Sequence, residues 1–316
     1  MENLFYNHVE KRIRTGWRIL IQIALTTGII LGLAYTNIFN SVSLPLARME
    51  ISFMLIIVSI IWLMGRFLDK RNFTDFGLHI SRSTWWRELL IGIGLGSLEA
   101  ACLVFILCRL NWVQITTFMG TPQTNLPFGL AVAVDILTFA SVGLMEELIR
   151  AYQARNLAEG LFGPHNLHWK RALFFGAIGA SLFSTLMHIN QQGVLFWVYV
   201  FLNSMIYCLM FFTTKRIAIA IGAHLAWDFF ISTIFSLGGT ASVLNAAVVY
   251  SAPLTSAGET ASNMTLTTFI GLGLKVLGLF LVMFYIKRHT GQKPQLKKEI
   301  SQYIPAIEQE NSVHPG

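Results

Sequence analysis

Apolar residues in this chain gather into long blocks that are separated by short polar connectors. A helix needs about 20 residues to cross a hydrocarbon core of about 30 Å, whereas a buried strand needs only about four to eight. Eight blocks approach the helical length: Ile19–Phe39, Ile51–Leu68, Leu89–Leu110, Phe128–Ile149, Ala172–Ile189, Val194–Thr213, Ile217–Leu237 and Thr265–Ile286. The pattern therefore predicts an all-α fold, a polytopic membrane helical bundle of about eight transmembrane helices.

The composition supports a membrane protein and excludes a soluble globular one. Hydrophobic residues make up 54% of the 316 residues and charged residues 12%, against about 45–50% and 25% in soluble domains. A net charge of +7 would suggest a nucleic-acid partner for a soluble chain, but here the basic residues follow membrane topology. We expect a lipid bilayer and no nucleic acid as partner, in a multi-pass protein of a bacterial plasma membrane.

The distribution of Lys and Arg predicts the orientation of the bundle. Most of the 23 basic residues lie in the N-terminal segment, in every second connector and in the tail. Positive residues accumulate on the cytoplasmic side of a membrane, so both termini are expected in the cytoplasm. The chain then divides into a cytoplasmic segment of residues 1–18, one transmembrane domain over residues 19–287, and a polar tail over residues 288–316 that we expect to be disordered.

Ionisable side chains cluster on three of the predicted spans. Each costs about 2.5–3.5 kcal/mol near the bilayer centre, so each needs a partner or a function. Glu146 and Glu147 on the fourth span lie within about one helical turn of Arg150, which can pair with either carboxylate. Such a group is typical of an interfacial cluster that reaches water, or of a catalytic pair in which the Arg holds one of the two acids.

The fifth and seventh spans carry the other polar groups. His188 ends the fifth span, and on the seventh span His224 and Asp228 are four residues apart and share a helix face. Gly222 lets a neighbouring helix approach closely beside them. Both a structural hydrogen bond and a catalytic pair explain this spacing.

If these groups converge inside the bundle, they have the composition of a hydrolytic site. A Glu would be the general base for a water, one His would share the proton, and the other His, held by its Asp, would donate a hydrogen bond to the developing oxyanion. A metal site or a proton relay would use the same residue types. Simple alternation of spans places Glu146 and His188 near opposite membrane faces, unless the fourth helix continues through Gly160.

Residues 126–235 resemble the CPBP (CAAX protease and bacteriocin-processing, or Abi) family of intramembrane glutamic proteases, which is marked by the motifs EExxxR, FxxxH and HxxxN/D. The sequence GAHLAWDFF matches the third motif, with His224 and Asp228 in register. The first motif reads EELIRAYQ and has one residue fewer before Arg150. In the second motif, Ser184 stands where the family has Phe, four residues before His188.

The shortened first motif leaves two registers. Alignment on the Glu pair makes Glu146 the base and Glu147 the partner of Arg150. Alignment on Arg150 places Met145 at the catalytic position and Glu146 at the second. We adopt the first register, because the paired carboxylates have no other evident purpose.

The resemblance implies an eight-helix-like bundle and a metal-independent endopeptidase that acts on membrane-embedded, prenylated or leader peptides. The implied roles are water activation by Glu146 and His188, support of the oxyanion by His224 and Asp228, and tuning of the base by Glu147 and Arg150.

Two other functions stay open. Glu146, His188 and His224 are alternative zinc ligands, although the chain has no H-E-x-x-H helix. The shortened motif also fits a weakened or inactive relative that acts as an immunity factor, scaffold or transporter. In a transporter, Glu99, Asp135 and Lys275 would belong to a charge pathway. In an enzyme, Glu99 and Asp135 would instead pair with Lys275 or face the interior as structural groups. The sequence predicts no oligomeric state.

The predicted orientation is testable with topology reporters. Reporters fused to either end of the chain should both give a cytoplasmic signal, and a reporter fused near Ser256 should give an external signal, since seven crossings precede that residue. A cytoplasmic signal at Ser256 would contradict the count of eight spans.

Overall fold

The computed structural model describes residues 4–35, 47–113, 117–118, 127–162, 167–189, 193–235, 250–251 and 261–303, which form the predicted all-α bundle. These residues contain eight α-helices: α1 (Thr15–Tyr35), α2 (Ala47–Leu63), α3 (Ser83–Arg109), α4 (Phe128–Phe162), α5 (Trp169–Met187), α6 (Gly193–Thr214), α7 (Ala218–Phe229) and α8 (Ala261–Thr290). Their strands form two antiparallel pairs, β1 (Tyr6–Asn7) with β2 (Arg12–Ile13) and β3 (Thr117–Phe118) with β4 (Tyr250–Ser251).

Within the described ranges, five helices are long and apolar enough to cross a membrane, by length and composition. They cover Thr15–Leu33, Met49–Asp69, Ser83–Arg109, Gly193–Thr214 and Thr265–Thr290. The helix α7 is shorter, and a π-helix over Phe230–Ile234 continues it. A membrane-spanning bundle is therefore supported, whereas eight crossings with both ends in the cytoplasm stay a prediction.

The helices α3 and α7 pack with their backbones in contact. A Cβ atom on Gly92 or Gly96 of α3 would collide with the carbonyl oxygens of Ile219 and Ala223, and one on Gly222 would collide with the backbone of α3. Small residues four apart let membrane helices approach in this way. The close approach expected at Gly222 is confirmed, and it fixes the position of α7 against α3.

The helix α4 is longer than its apolar block. It continues past Ile149 to Phe162 and has 35 residues, or about 50 Å at 1.5 Å per residue, which exceeds a hydrocarbon core of about 30 Å. Gly176 of α5 lies against the α4 backbone at Ala154 and Ala158, where a Cβ atom would be too close. The extension therefore packs on α5, and Glu146 lies near the middle of α4.

A cluster of buried charges joins the N-terminal residues to the far end of α4. Glu159 accepts hydrogen bonds from Arg12, Arg18 and Arg71, and Arg18 also pairs with Asp69. Each of these side chains is at most 4% exposed. The helix α1 begins at Thr15, four residues before the predicted apolar block, and these buried ion pairs hold the basic residues at its start against α4.

The predicted disordered tail is wrong for residues 288–303. The helix α8 continues to Thr290, and a 3₁₀-helix follows over Lys298–Ser301. Ile300 is fully buried in the main apolar core, and the ring of Tyr303 lies 3.4 Å from the guanidinium carbon of Arg12. One apolar anchor and one cation–π contact hold a segment whose polar composition had indicated disorder. Residues 304–316 lie outside the described ranges.

The close packing of α3 on α7 predicts that two glycines of α3 differ in how much stability is lost when each is replaced by alanine. Gly92→Ala should lower the free energy of unfolding by about 1–3 kcal/mol, because the methyl group overpacks the contact with α7. Gly94→Ala is the matched control, since a Cβ atom there meets nothing within 4 Å, and it should be neutral or slightly stabilising. Thermal unfolding of the purified proteins in detergent measures both. Equal effects of the two substitutions would contradict the contact.

Candidate active site

The two adjacent acids on α4 lie in different surroundings. Successive residues of an α-helix point about 100° apart, so Glu146 and Glu147 cannot share one environment. The side chain of Glu147 is 2% exposed, and that of Glu146 is 23% exposed. One carboxylate is therefore enclosed by protein, and the other remains accessible.

The enclosed carboxylate has two strong partners. Glu147 accepts a hydrogen bond from the guanidinium of Arg150, and the Nδ1 atom of His224 lies 2.9 Å from Glu147 Oε1. A carboxylate only accepts, so Nδ1 carries the proton of that hydrogen bond. Glu147 thus joins α4 to α7 and fixes the imidazole of His224.

The other edge of His224 faces two more carboxylates. Its Nε2 atom lies 3.3 Å from Asp228 Oδ2 and 3.9 Å from Glu146 Oε2. The predicted placement of His224 and Asp228 on one face of the helix is thus matched by a contact between their side chains. Because α7 packs on α4 at Gly143, where a Cβ atom would lie 3.7 Å from that of His224, the imidazole reaches both acids of α4.

Arg150 connects α4 to α5. Its Nη2 atom donates a hydrogen bond to Ser184 Oγ over 2.9 Å and lies 3.6 Å from Glu146 Oε2. The carbonyl of Ser184 lies 2.8 Å from His188 Nδ1. Since that carbonyl accepts, Nδ1 of His188 donates and Nε2 is left as the acceptor. Ser184 therefore orients both the arginine and the second histidine.

Glu146 and His188 both line a cavity of about 80 Å³. Arg150, Ser184 and Gln153 also line it, and the rest of its wall is mostly apolar, with Met145 and Phe183 among the lining residues. This volume is sufficient for several water molecules, and the polar wall supplies hydrogen-bond partners. The concern that Glu146 and His188 lie a membrane apart is therefore answered, because the long α4 places Glu146 level with the end of α5.

The six residues predicted for the site thus fall into two groups that share Glu146 and Arg150. Glu147, His224 and Asp228 form the buried side, and His188 faces the cavity. The described residues include no group of three or more His, Cys, Asp or Glu side chains arranged to hold a metal ion.

Two contributors were missed by sequence reasoning. Ser184 had counted only as a departure from the family motif, although it contacts Arg150. Tyr207 of α6 stacks on the imidazole of His224, with ring centroids 5.7 Å apart and an interplanar angle of 24°. A serine and a tyrosine within apolar helices give no periodic signal, so only their three-dimensional contacts reveal them.

Residues 128–230 match the family model of the Rce1-like proteins, described as type II CAAX prenyl endopeptidase Rce1-like. No curated protein and no solved structure matches the chain significantly. The matched range begins at the first residue of α4, continues past the end of α7 and contains all six predicted site residues. The match confirms the resemblance found from the motifs: over residues 128–230 the chain is similar to the CAAX proteases of the CPBP family.

Proposed function

We propose that the protein is an intramembrane endopeptidase of the CAAX type that hydrolyses a peptide bond with a water molecule held between Glu146 and His188. The observation that carries this proposal is the asymmetry of the paired acids. Glu146 lines a cavity of water-accommodating size, whereas Glu147 is paired with Arg150 and His224.

In the proposed reaction, Glu146 acts as the general base. Its carboxylate removes a proton from the water, and Nε2 of His188 accepts the second hydrogen of that water as a hydrogen bond and so orients it. The hydroxide adds to the scissile carbonyl, and the protonated Glu146 then gives its proton to the leaving nitrogen as the C–N bond breaks. General acid–base catalysis of this kind contributes about two to four orders of magnitude in rate.

The buried side of the site supports the negative charge that develops on the carbonyl oxygen. The imidazole of His224 donates from Nδ1 to Glu147, and its Nε2 atom lies 3.3 Å from Asp228 Oδ2. In the proposed reaction, the oxyanion takes the place of Asp228 as the acceptor of the Nε2–H of His224. A donor that is fixed before the reaction begins is worth about 2.7–4 kcal/mol of transition-state stabilisation.

Arg150 and Glu147 support the catalytic groups. Arg150 lies within 3.6 Å of the base and also holds Ser184, so α4 and α5 keep their relative positions when substrate enters. We infer that the substrate is a membrane-embedded peptide or protein segment, of which prenylated C-terminal peptides and leader peptides are two classes. The location that fits this role is a bacterial plasma membrane, with multiple crossings and both termini in the cytoplasm.

A second candidate function is that of a catalytically weakened relative that serves as an immunity factor or scaffold. The missing residue in EELIR favours it, because the alternative register places Met145 at the position of the base. Met145 also lines the cavity, yet a thioether cannot take a proton from water at neutral pH. This second function would be favoured if the wild-type protein folds but cleaves no candidate peptide, and if the Met145→Glu variant does not gain cleavage.

Four substitutions test the proposed roles when cleavage of a candidate membrane peptide is followed. Glu146→Gln should lower the cleavage rate by about two to four orders of magnitude, because Gln keeps the size of Glu but cannot act as the base. His188→Ala and His224→Ala should also show large losses. Glu147→Gln is the matched control: it should chiefly lower the folded yield, because it leaves Arg150 without its buried partner.

The opposite outcome identifies the other register. If Glu147→Gln abolishes cleavage in a folded protein while Glu146→Gln behaves as a folding mutant, the base is Glu147. If none of the four substitutions changes a cleavage that the wild-type protein performs, the assignment of this site is wrong.

Metal dependence is tested by chelation. We propose a mechanism without a metal cofactor, so treatment with a strong chelator should leave the cleavage rate unchanged. The zinc alternative, with Glu146, His188 and His224 as ligands, predicts loss of cleavage and recovery when zinc is returned. The zinc content of the purified wild-type protein also distinguishes the metal-independent mechanism from the zinc mechanism.

A further inference from the structure

A second pair of charges lies buried in the bundle, outside the site described above. Lys275 Nζ of α8 donates to Glu99 Oε2 of α3 over 2.6 Å, and the two side chains are 1% and 5% exposed. Buried ion pairs stabilise little compared with apolar residues of the same volume. Stability alone is therefore a weak reason for charges at this depth, and their neighbours indicate another.

The α8 backbone makes room for this pair. Gly278 lies three residues after Lys275, and a Cβ atom there would collide with the carboxylate of Glu99. The same pairing was one of the expectations for Glu99 and Lys275 from sequence. Asp135, the third candidate, instead accepts a hydrogen bond from Thr233 over 2.8 Å, so the charged residues do not line one continuous pathway.

The ammonium of Lys275 also contacts two aromatic side chains that flank the catalytic histidine. Nζ lies 3.3 Å from Tyr207 Oη, where it donates, and 4.2 Å from the ring centroid of Trp227. Trp227 follows His224 by three residues on α7. Tyr207 lies on α6 and stacks directly on the His224 ring.

Tyr207 thereby connects the two buried clusters. One face of its ring system meets the imidazole of His224, the guanidinium carbon of Arg150 lies 5.5 Å from its ring centroid, and its hydroxyl meets Lys275. Tyr207 is 1% exposed. Its ring therefore has little freedom to move unless Lys275 moves with it.

We propose that Tyr207 is a positioning residue for His224 and that the Glu99–Lys275 ion pair fixes Tyr207 in place. Glu147 at Nδ1 and Asp228 at Nε2 hold the two edges of the imidazole in the free protein, and the stacked ring of Tyr207 sets its plane. The proposal rests on the proposed function for the role that His224 plays. An oxyanion donor acts only if its N–H direction is fixed, and misplacement by about 1 Å can cost about 10²-fold in rate.

The kinetic test uses variants that remove the link and keep the space filled. Tyr207→Phe keeps the stacked ring but loses the hydroxyl, and the double variant Glu99→Leu with Lys275→Met removes both charges together. Each should lower kcat by roughly tenfold with little change in KM, because the donor direction is disturbed and the substrate cavity is not. The triple variant should show no further loss, since both changes act through one contact.

A matched control separates positioning from general stability. Glu88 of α3 forms another ion pair with Arg216, which lies two residues before the start of α7, with 2.6 Å between Arg216 Nε and Glu88 Oε2. Glu88→Leu with Arg216→Met should lower the melting temperature without lowering kcat. Losses of kcat that simply follow the melting temperature across both double variants would overturn the proposal.

A spectroscopic measurement decides the matter without any substrate. In protein with isotope-labelled histidine rings, the His224 signal, assigned with His224→Ala, should carry a ring-current shift from Tyr207. The Glu99→Leu, Lys275→Met variant should move that signal although neither residue contacts His224, and the Glu88, Arg216 variant should leave it in place. An unmoved signal overturns the proposal, whereas a wild-type protein that cleaves nothing overturns only the proposed function. If the double variant does not fold, Tyr207→Phe gives the same two readouts.

Discussion

The ion pair between Glu147 and Arg150 is the interaction on which the rest of the site depends. A charge in a bilayer interior needs a partner, and here a single carboxylate receives both the guanidinium and the imidazole of His224. Arg150 continues to Ser184 on α5. Four side chains on three helices are therefore held by one buried pair, and the geometry of the proposed active site follows from satisfying its hydrogen bonds.

The same pair leaves two adjacent glutamates in different surroundings. Glu147 forms the closest ion pair with Arg150. Glu146 lies 3.6 Å from the same guanidinium and its side chain stays partly exposed. Glu146 lines the cavity that His188 also lines. Two acids with separate surroundings are the usual basis of separate roles in acid–base chemistry.

Local patterns predicted much of this arrangement. Apolar blocks of spanning length predicted the helices, and the i,i+4 spacing of His224 and Asp228 predicted their contact. The long-range partners could not be predicted, because nothing local to Glu159 indicates that arginines from residues 12, 18 and 71 converge on it. Ile300 was missed for a related reason: one apolar residue in a polar tail has no period, yet it is fully buried. Ser184 was noted only as a departure from the family motif, but its hydroxyl accepts a hydrogen bond from Arg150.

The central claim is that Glu146 and His188 hold a water molecule between them while Glu147 remains closed to solvent. An experimental structure in lipid, at a resolution that shows ordered water, tests this claim most directly. The account predicts a water within hydrogen-bond distance of both a Glu146 carboxylate oxygen and His188 Nε2, and no water on Glu147. A dry cavity, or a water bound to Glu147 with Glu146 turned away from His188, would contradict it.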